Sequence, residues 1–157
     1  MRIKVISFVI LALIFSFCAM QAQKMSSQET EMLLKQTQML NIKYYDALIR
    51  FVLTSNDSLY NEALSIYYQQ DRNLSRLKKS GVGNYWTSNS YSFEKTIVES
   101  NYLLYGDFFK TQVQRNTGNA NKKVNYDGKV YLLSKYRKEQ FERLLKSIRT
   151  DEKIYRH

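Results

Sequence analysis

A catalytic site needs titratable or nucleophilic groups that converge, and this chain offers few. Its one histidine, His157, is the last residue, and its one cysteine, Cys18, sits in an apolar leader. That argues against a His-based triad, a His-cluster metal site, an internal disulfide or a Cys-rich zinc site. Carboxylates remain. Asp127-Gly128 lacks the alternating oxygen ligands of a calcium loop. Gly81-Val82-Gly83 lacks the further glycine and the preceding strand of a nucleotide-binding turn. Glu99, beside Ser100, is the carboxylate to weigh as a general acid. Helical spacing puts it opposite an apolar face, with Lys95 four residues earlier. A solvated, paired carboxylate is expected there, whereas a catalytic acid needs burial that raises its pKa. No catalytic, cofactor-binding or metal-binding residue is assigned, and a non-enzymatic protein is expected.

Glu99-Ser100 resembles the Glu-Ser pair of lysozyme-like transglycosylases, where the glutamate is the general acid. The resemblance covers two residues, and the Gly-Leu-Met-Gln stretch usual downstream in that family is absent. It leaves a cell-wall hydrolase as a remote alternative.

Charge gives a clearer signal. The 157 residues carry 24 Lys+Arg against 14 Asp+Glu, a net charge of +10. Arg2 and Lys4 supply two of these charges, residues 23–109 balance nine bases against nine acids, and residues 110–157 hold thirteen bases against five acids. The excess of the body of the chain therefore sits at its C-terminal end. Lys122, Lys123 and Lys129 flank a turn, and Lys135, Lys138, Lys146 and Arg149 fall on the polar side of the last helix. Tyr126, Tyr131 and Tyr136 are interleaved. Cations with aromatic rings can grip an anionic polymer such as DNA, lipopolysaccharide or an acidic glycan. Tyr85, Trp86 and Tyr126 are the candidate aromatic contacts. The plainer alternative is a basic drift of composition with no partner behind it.

The first residues read as an address. Arg2 and Lys4 precede the uncharged run Val5 to Met20, and the small Ala22 follows. That is the three-part pattern of a secretory signal peptide, and the run is short for a membrane span. A signal peptide over 1–22 and a single helical domain over 23–157 are expected, placing the protein in the periplasm or outside the cell. The alternatives are an uncleaved leader acting as an anchor and acylation of Cys18, although the bulky Phe17 precedes it.

What must position these groups is helical. Ser26-x-x-Glu29 is a capping box, and Leu33, Thr37, Leu40, Tyr44, Ala47 or Leu48, and Phe51 follow at steps of three or four, predicting a helix from about Ser27 to Leu53. Ile42 and Ile49 lie off that stripe, either as a partner-binding ridge or beneath another segment. The polar break at residues 54–58 leads to a second stripe of Leu59, Ala63, Ile66, Gln70, Leu74 and Leu77, and a break so short predicts an antiparallel hairpin of helices. A third helix is expected from Ser92 to about Arg115, with Phe93, Ile97, Leu104 and Phe108 on its apolar face and Gly106 weakening it. The fourth stripe is Val130, Leu133, Phe141, Leu144 and Ile148, with Arg137 in the gap. Arg137 either lays its stem along the core edge or joins a buried ion pair. Glu139–Arg143 and Glu142–Lys146 have the spacing of helical ion pairs. A small strand hairpin around Val113 and Val124 is only weakly signalled.

Together these predict an all-α, up-down antiparallel four-helix bundle with longer connections at about 80–92 and 116–128. The expected function is protein–protein contact by an exported, accessory subunit of an envelope, secretion or conjugation apparatus. Binding of an anionic polymer through the basic C-terminal segment is the alternative.

Overall fold

The computed structural model describes residues 25–80 and 85–155, and these are mostly helical. The expected signal segment and Gly81-Val82-Gly83 lie outside the described residues. Helix α1 spans Ser27–Thr54 and opens on the capping box: the Glu29 amide donates to Ser26 Oγ at 3.2 Å and the Ser26 amide to Glu29 Oε2 at 2.8 Å. The stripe from Leu33 to Phe51 is buried, and towards the C-terminal end burial spreads to Ala47, Ile49, Val52 and Leu53. A helix apolar on most of its circumference belongs at the centre of a fold. Ile49 is fully buried and Ile42 half-buried, so the two do not form a partner ridge.

Ser55 ends α1 in the left-handed region at φ 58°, and Asn56 caps α2 (Asp57–Lys79) by accepting from the Ser58 amide at 3.0 Å. Because Phe51 meets Tyr60 at 5.2 Å between ring centres, and Gln70 reaches back to Thr37 and Asn41, α2 runs antiparallel to α1.

Helix α3 (Tyr85–Tyr105) begins well before Ser92, so most of the expected 80–92 connection is helical. Its inward face also differs from the expected one. Glu94, Val98 and Asn101 are buried, whereas Phe93 is 43% exposed. Gly106 does more than weaken the helix. Its extended backbone divides it, and the short α4 (Asp107–Arg115) turns Phe109 and Val113 into the core and leaves Phe108 75% exposed.

The expected 116–128 connection ends in a strand pair. Strand β1 (Lys122–Tyr126) pairs antiparallel with β2 (Lys129–Leu133), with Val124 opposite Tyr131. Val130 and Leu133 therefore lie on a strand and not on the last helix. Asp127 and Gly128 both take positive φ, 50° and 71°. That is the two-residue turn whose twist matches paired strands. Val113, placed in the weakly signalled hairpin, is helical.

Ser134 opens α5 (Lys135–Tyr155), accepting from the Arg137 amide at 3.3 Å. The architecture is thus five helices and one hairpin among the described residues, where four helices and two long connections were expected.

The interior has two apolar clusters. The larger joins the second half of α1 to Tyr60 and Ala63 of α2, Phe109 and Val113, the inner face of the hairpin, and Phe141, Leu144 and Ile148 of α5. The smaller joins Leu33 and Leu34 to Leu74, Leu77 and Val98. Side chains of this size are each worth about 1.5–3 kcal/mol when fully buried. A band of buried polar residues, Thr37, Asn41, Gln70, Asn73, Asn101 and Asp151, joins the same helices.

Candidate functional site

The hairpin presents two unlike faces. Strand alternation turns Val124, Tyr126, Tyr131 and Leu133 inward and Lys123, Asn125, Val130 and Leu132 outward. The inner face is clamped to α1. The Tyr126 hydroxyl donates to Asp46 Oδ1 at 2.5 Å, Arg50 Nε donates to Asp46 Oδ2 at 2.8 Å, and Arg50 Nη2 reaches Asp127 Oδ2 at 3.3 Å. The Arg50 guanidinium lies 5.9 Å from the Tyr126 ring centre, and that ring meets Phe141 edge-on at 5.7 Å. Burial pushes the Tyr126 phenol above its ordinary pKa, and the bond to Asp46 adds to the shift. Arg50 is raised by its hydrogen bond to Asp46. Tyr126 is therefore an anchor, partly buried, with its hydroxyl on Asp46 and its ring against Phe141. Tyr85 and Trp86 fall in the first turn of α3, and their side chains lie outside the described residues.

The outer face is open. Val130 is 65% and Leu132 56% exposed. Lys122, Lys123 and Lys129 are exposed on the same two strands, and Lys135 follows directly at the start of α5. The sequence singled out these lysines but missed the apolar pair between them.

Lys135, Lys138, Lys146 and Arg149 share one face of α5, since residues at about 100° per step fall within a narrow arc there. The basic set is thus divided between a hairpin group and a helix group. Glu142 sits within the helix group and pairs back to Lys138 at 3.4 Å, where pairing forward to Lys146 was expected. Arg137 donates from Nη2 to Ser55 Oγ at 2.6 Å, while its buried Nε has no partner among the described residues. Burial lowers its pKa. It ties the start of α5 to the α1–α2 turn through a hydroxyl, and no ion pair to it is present among the described residues.

The second place where polar groups converge is internal. Asn41 donates to Asp151 Oδ2 at 2.5 Å and accepts from Asn101 at 2.6 Å and from Gln70 at 3.5 Å. The Tyr45 hydroxyl donates to Asn101 Oδ1, and the Tyr44 hydroxyl to the Asn101 carbonyl at 3.3 Å. On the same helices Gln38 donates to the buried Glu94 at 3.2 Å. Burial raises the Asp151 carboxyl to about 6 against the opposing effect of its bond from Asn41. A cleft of about 390 Å³ between α3 and α5 reaches this group, lined by Tyr45, Thr96, Ser100, Lys146, Thr150 and Asp151. A carboxyl that titrates near neutrality can transfer a proton. Glu99 does not supply a second such group: it is exposed, on the side of α3 facing solvent, and pairs with Lys95 at 3.6 Å as its spacing predicts.

Among the described residues no group of three or more His, Cys, Asp or Glu could hold a metal ion, and no helix is long and apolar enough to cross a membrane. Comparison with protein-family models, curated proteins and solved structures finds no match.

Proposed function

We propose that the protein is exported and non-enzymatic, and acts by protein–protein contact as an accessory subunit of a bacterial envelope, secretion or conjugation apparatus. One observation carries the contact reading: Val130 and Leu132 stand exposed on a hairpin whose other face is fixed to α1 and α5. Two neighbouring apolar side chains on a rigid, positively charged support are a small ready-made docking patch. Export rests on the pattern of Arg2, Lys4, the apolar run and Ala22. Site-specific photo-crosslinking in the native cell tests both parts. A photoreactive residue at Val130 should give a discrete adduct in the envelope fraction, and one at exposed Ser65 on α2 should not. Equal adducts from both positions, or recovery only from the cytosol, would overturn the reading.

The face shared by Lys135, Lys138, Lys146 and Arg149 supports the second reading, a binder of anionic polymers. Affinity for duplex DNA or heparin should then fall steeply with salt and disappear on charge reversal at Lys122, Lys123, Lys135 and Lys138.

A further inference from the structure

We propose that the free edge of β2 takes up an extended polypeptide segment as a third strand, and that this segment has alternating apolar residues at its centre and acidic residues at its ends. The inference rests on the contact reading above and names the chemistry of the partner.

The register carries the argument. With a two-residue turn at Asp127-Gly128, Tyr126 and Lys129 exchange backbone bonds, as do Val124 with Tyr131 and Lys122 with Leu133. The amides and carbonyls of Val130 and Leu132 then point away from β1. No hydrogen bond among the described residues reaches them. An edge of this kind is a template for strand addition unless it is blunted. Charge on the edge would blunt it, but here Val130 and Leu132 are the residues whose backbone groups face outward, and their side chains are exposed as well. The cations lie at the two ends: Lys129 starts the strand and Lys135 follows two residues after Leu133. They are at most about 20 Å apart along an extended backbone. A partner strand with apolar side chains beside Val130 and Leu132, and carboxylates beside the two lysines, satisfies every group the edge exposes.

Two other occupants fit less well. A lipid surface could accept the two side chains and the cations, but would leave the outward amides and carbonyls unbonded. A second copy would bring together two C-terminal segments that each carry thirteen bases against five acids.

The test uses the full chain and synthetic peptides of about nine residues, long enough to cover a five-residue strand and its flanks. One peptide alternates valine and threonine between acidic ends, the second has the same sequence with alternate backbone nitrogens methylated on the edge that would face β2, and the third has lysine ends. Fluorescence anisotropy should show the first binding at least tenfold tighter than the others. Hydrogen exchange should show the Val130 and Leu132 amides protected only by the first. The Val130→Thr, Leu132→Thr double substitution keeps the backbone edge and should weaken binding several-fold. Val130→Pro removes an outward donor and should abolish it. Equal binding of the methylated peptide would overturn strand addition. So would binding to phosphatidylglycerol vesicles with no peptide response, or protection of the two amides by self-association alone. A discrete crosslink from Val130 in cells with no peptide binding would leave the contact reading standing and remove only this inference.

Discussion

The buried polar band and the outer face of the hairpin depart from the usual distribution of residues in opposite senses. In the band, Asn41, Asn101 and Asp151 are withdrawn from water and bond one another, and Gln70 reaches Asn41 from a fourth helix although its own buried Oε1 has no partner among the described residues. On the hairpin, Val130 and Leu132 stay in water although the same strands bury Val124 and Leu133. The first arrangement costs desolvation and returns specificity of helix alignment, because only one register brings the amides and the carboxyl together. The second gives up hydrophobic stabilisation that an inward position would supply, and leaves the fold undisturbed because the inner face is anchored independently. Hidden polarity is therefore expected to govern stability, and exposed apolarity to govern binding.

Substitutions can separate these two roles. The largest effect is expected for Asn41→Leu, which leaves Asp151, Asn101 and Gln70 buried without their shared partner. Loss of about 2–4 kcal/mol in urea unfolding is expected, and a loss below the range typical of surface changes would show that the band is not structural. Next comes Asp151→Asn. The folded pKa of about 6 lies above the ordinary 3.8, so the folded state holds this proton more tightly than the unfolded state. The penalty for ionising it is absent below about pH 4, grows as pH rises through 6, and is complete above that. The substitution should therefore stabilise the protein by about 1–2 kcal/mol at pH 7, have no effect at pH 4, and flatten the stability profile between them.

Tyr126→Phe removes the bond to Asp46 and keeps the ring against Phe141, with an expected cost of about 1 kcal/mol and faster exchange of the hairpin amides. The smallest effect on stability belongs to Val130→Thr with Leu132→Thr, within about 0.5 kcal/mol of wild type. If that pair unfolds the protein, the outer face is part of the core and the contrast between the two regions fails.

The helices α1 and α2 were legible because a single apolar period coincides with cap residues at Ser26 and Asn56. The hairpin was legible in principle. Val124 and Tyr126, then Tyr131 and Leu133, alternate around Asp127-Gly128, a dipeptide suited to two consecutive positive φ angles. It was lost because Val130 and Leu133 also fall three residues apart and run on into the true stripe of α5 at Phe141, so the helical period absorbed the strand. The α3 face was illegible for a different reason. Glu94 and Asn101 are buried because Gln38, Asn41 and Tyr45 await them on α1, 56 to 60 residues away in sequence. No local pattern records such a partner, and Phe93 and Ile97 offered a more apolar face nearby. The same distance hid Asp151. The basic cluster was found from charge alone, but its division between hairpin and helix depends on where β2 ends, at Leu133.

The bond between Asn41 and Asp151 spans 110 residues, which bears on the order in which a growing chain can close. The first two helices can form and fold against each other early, as their contacts are close in sequence. Asn41 meets Asp151 only once α5 has been made. Until α5 arrives, the half-built protein retains an open polar seam, and closure is left to that helix. A nascent chain halted before Asp151 should remain loose and easily unfolded, while one that includes α5 closes across all four helices.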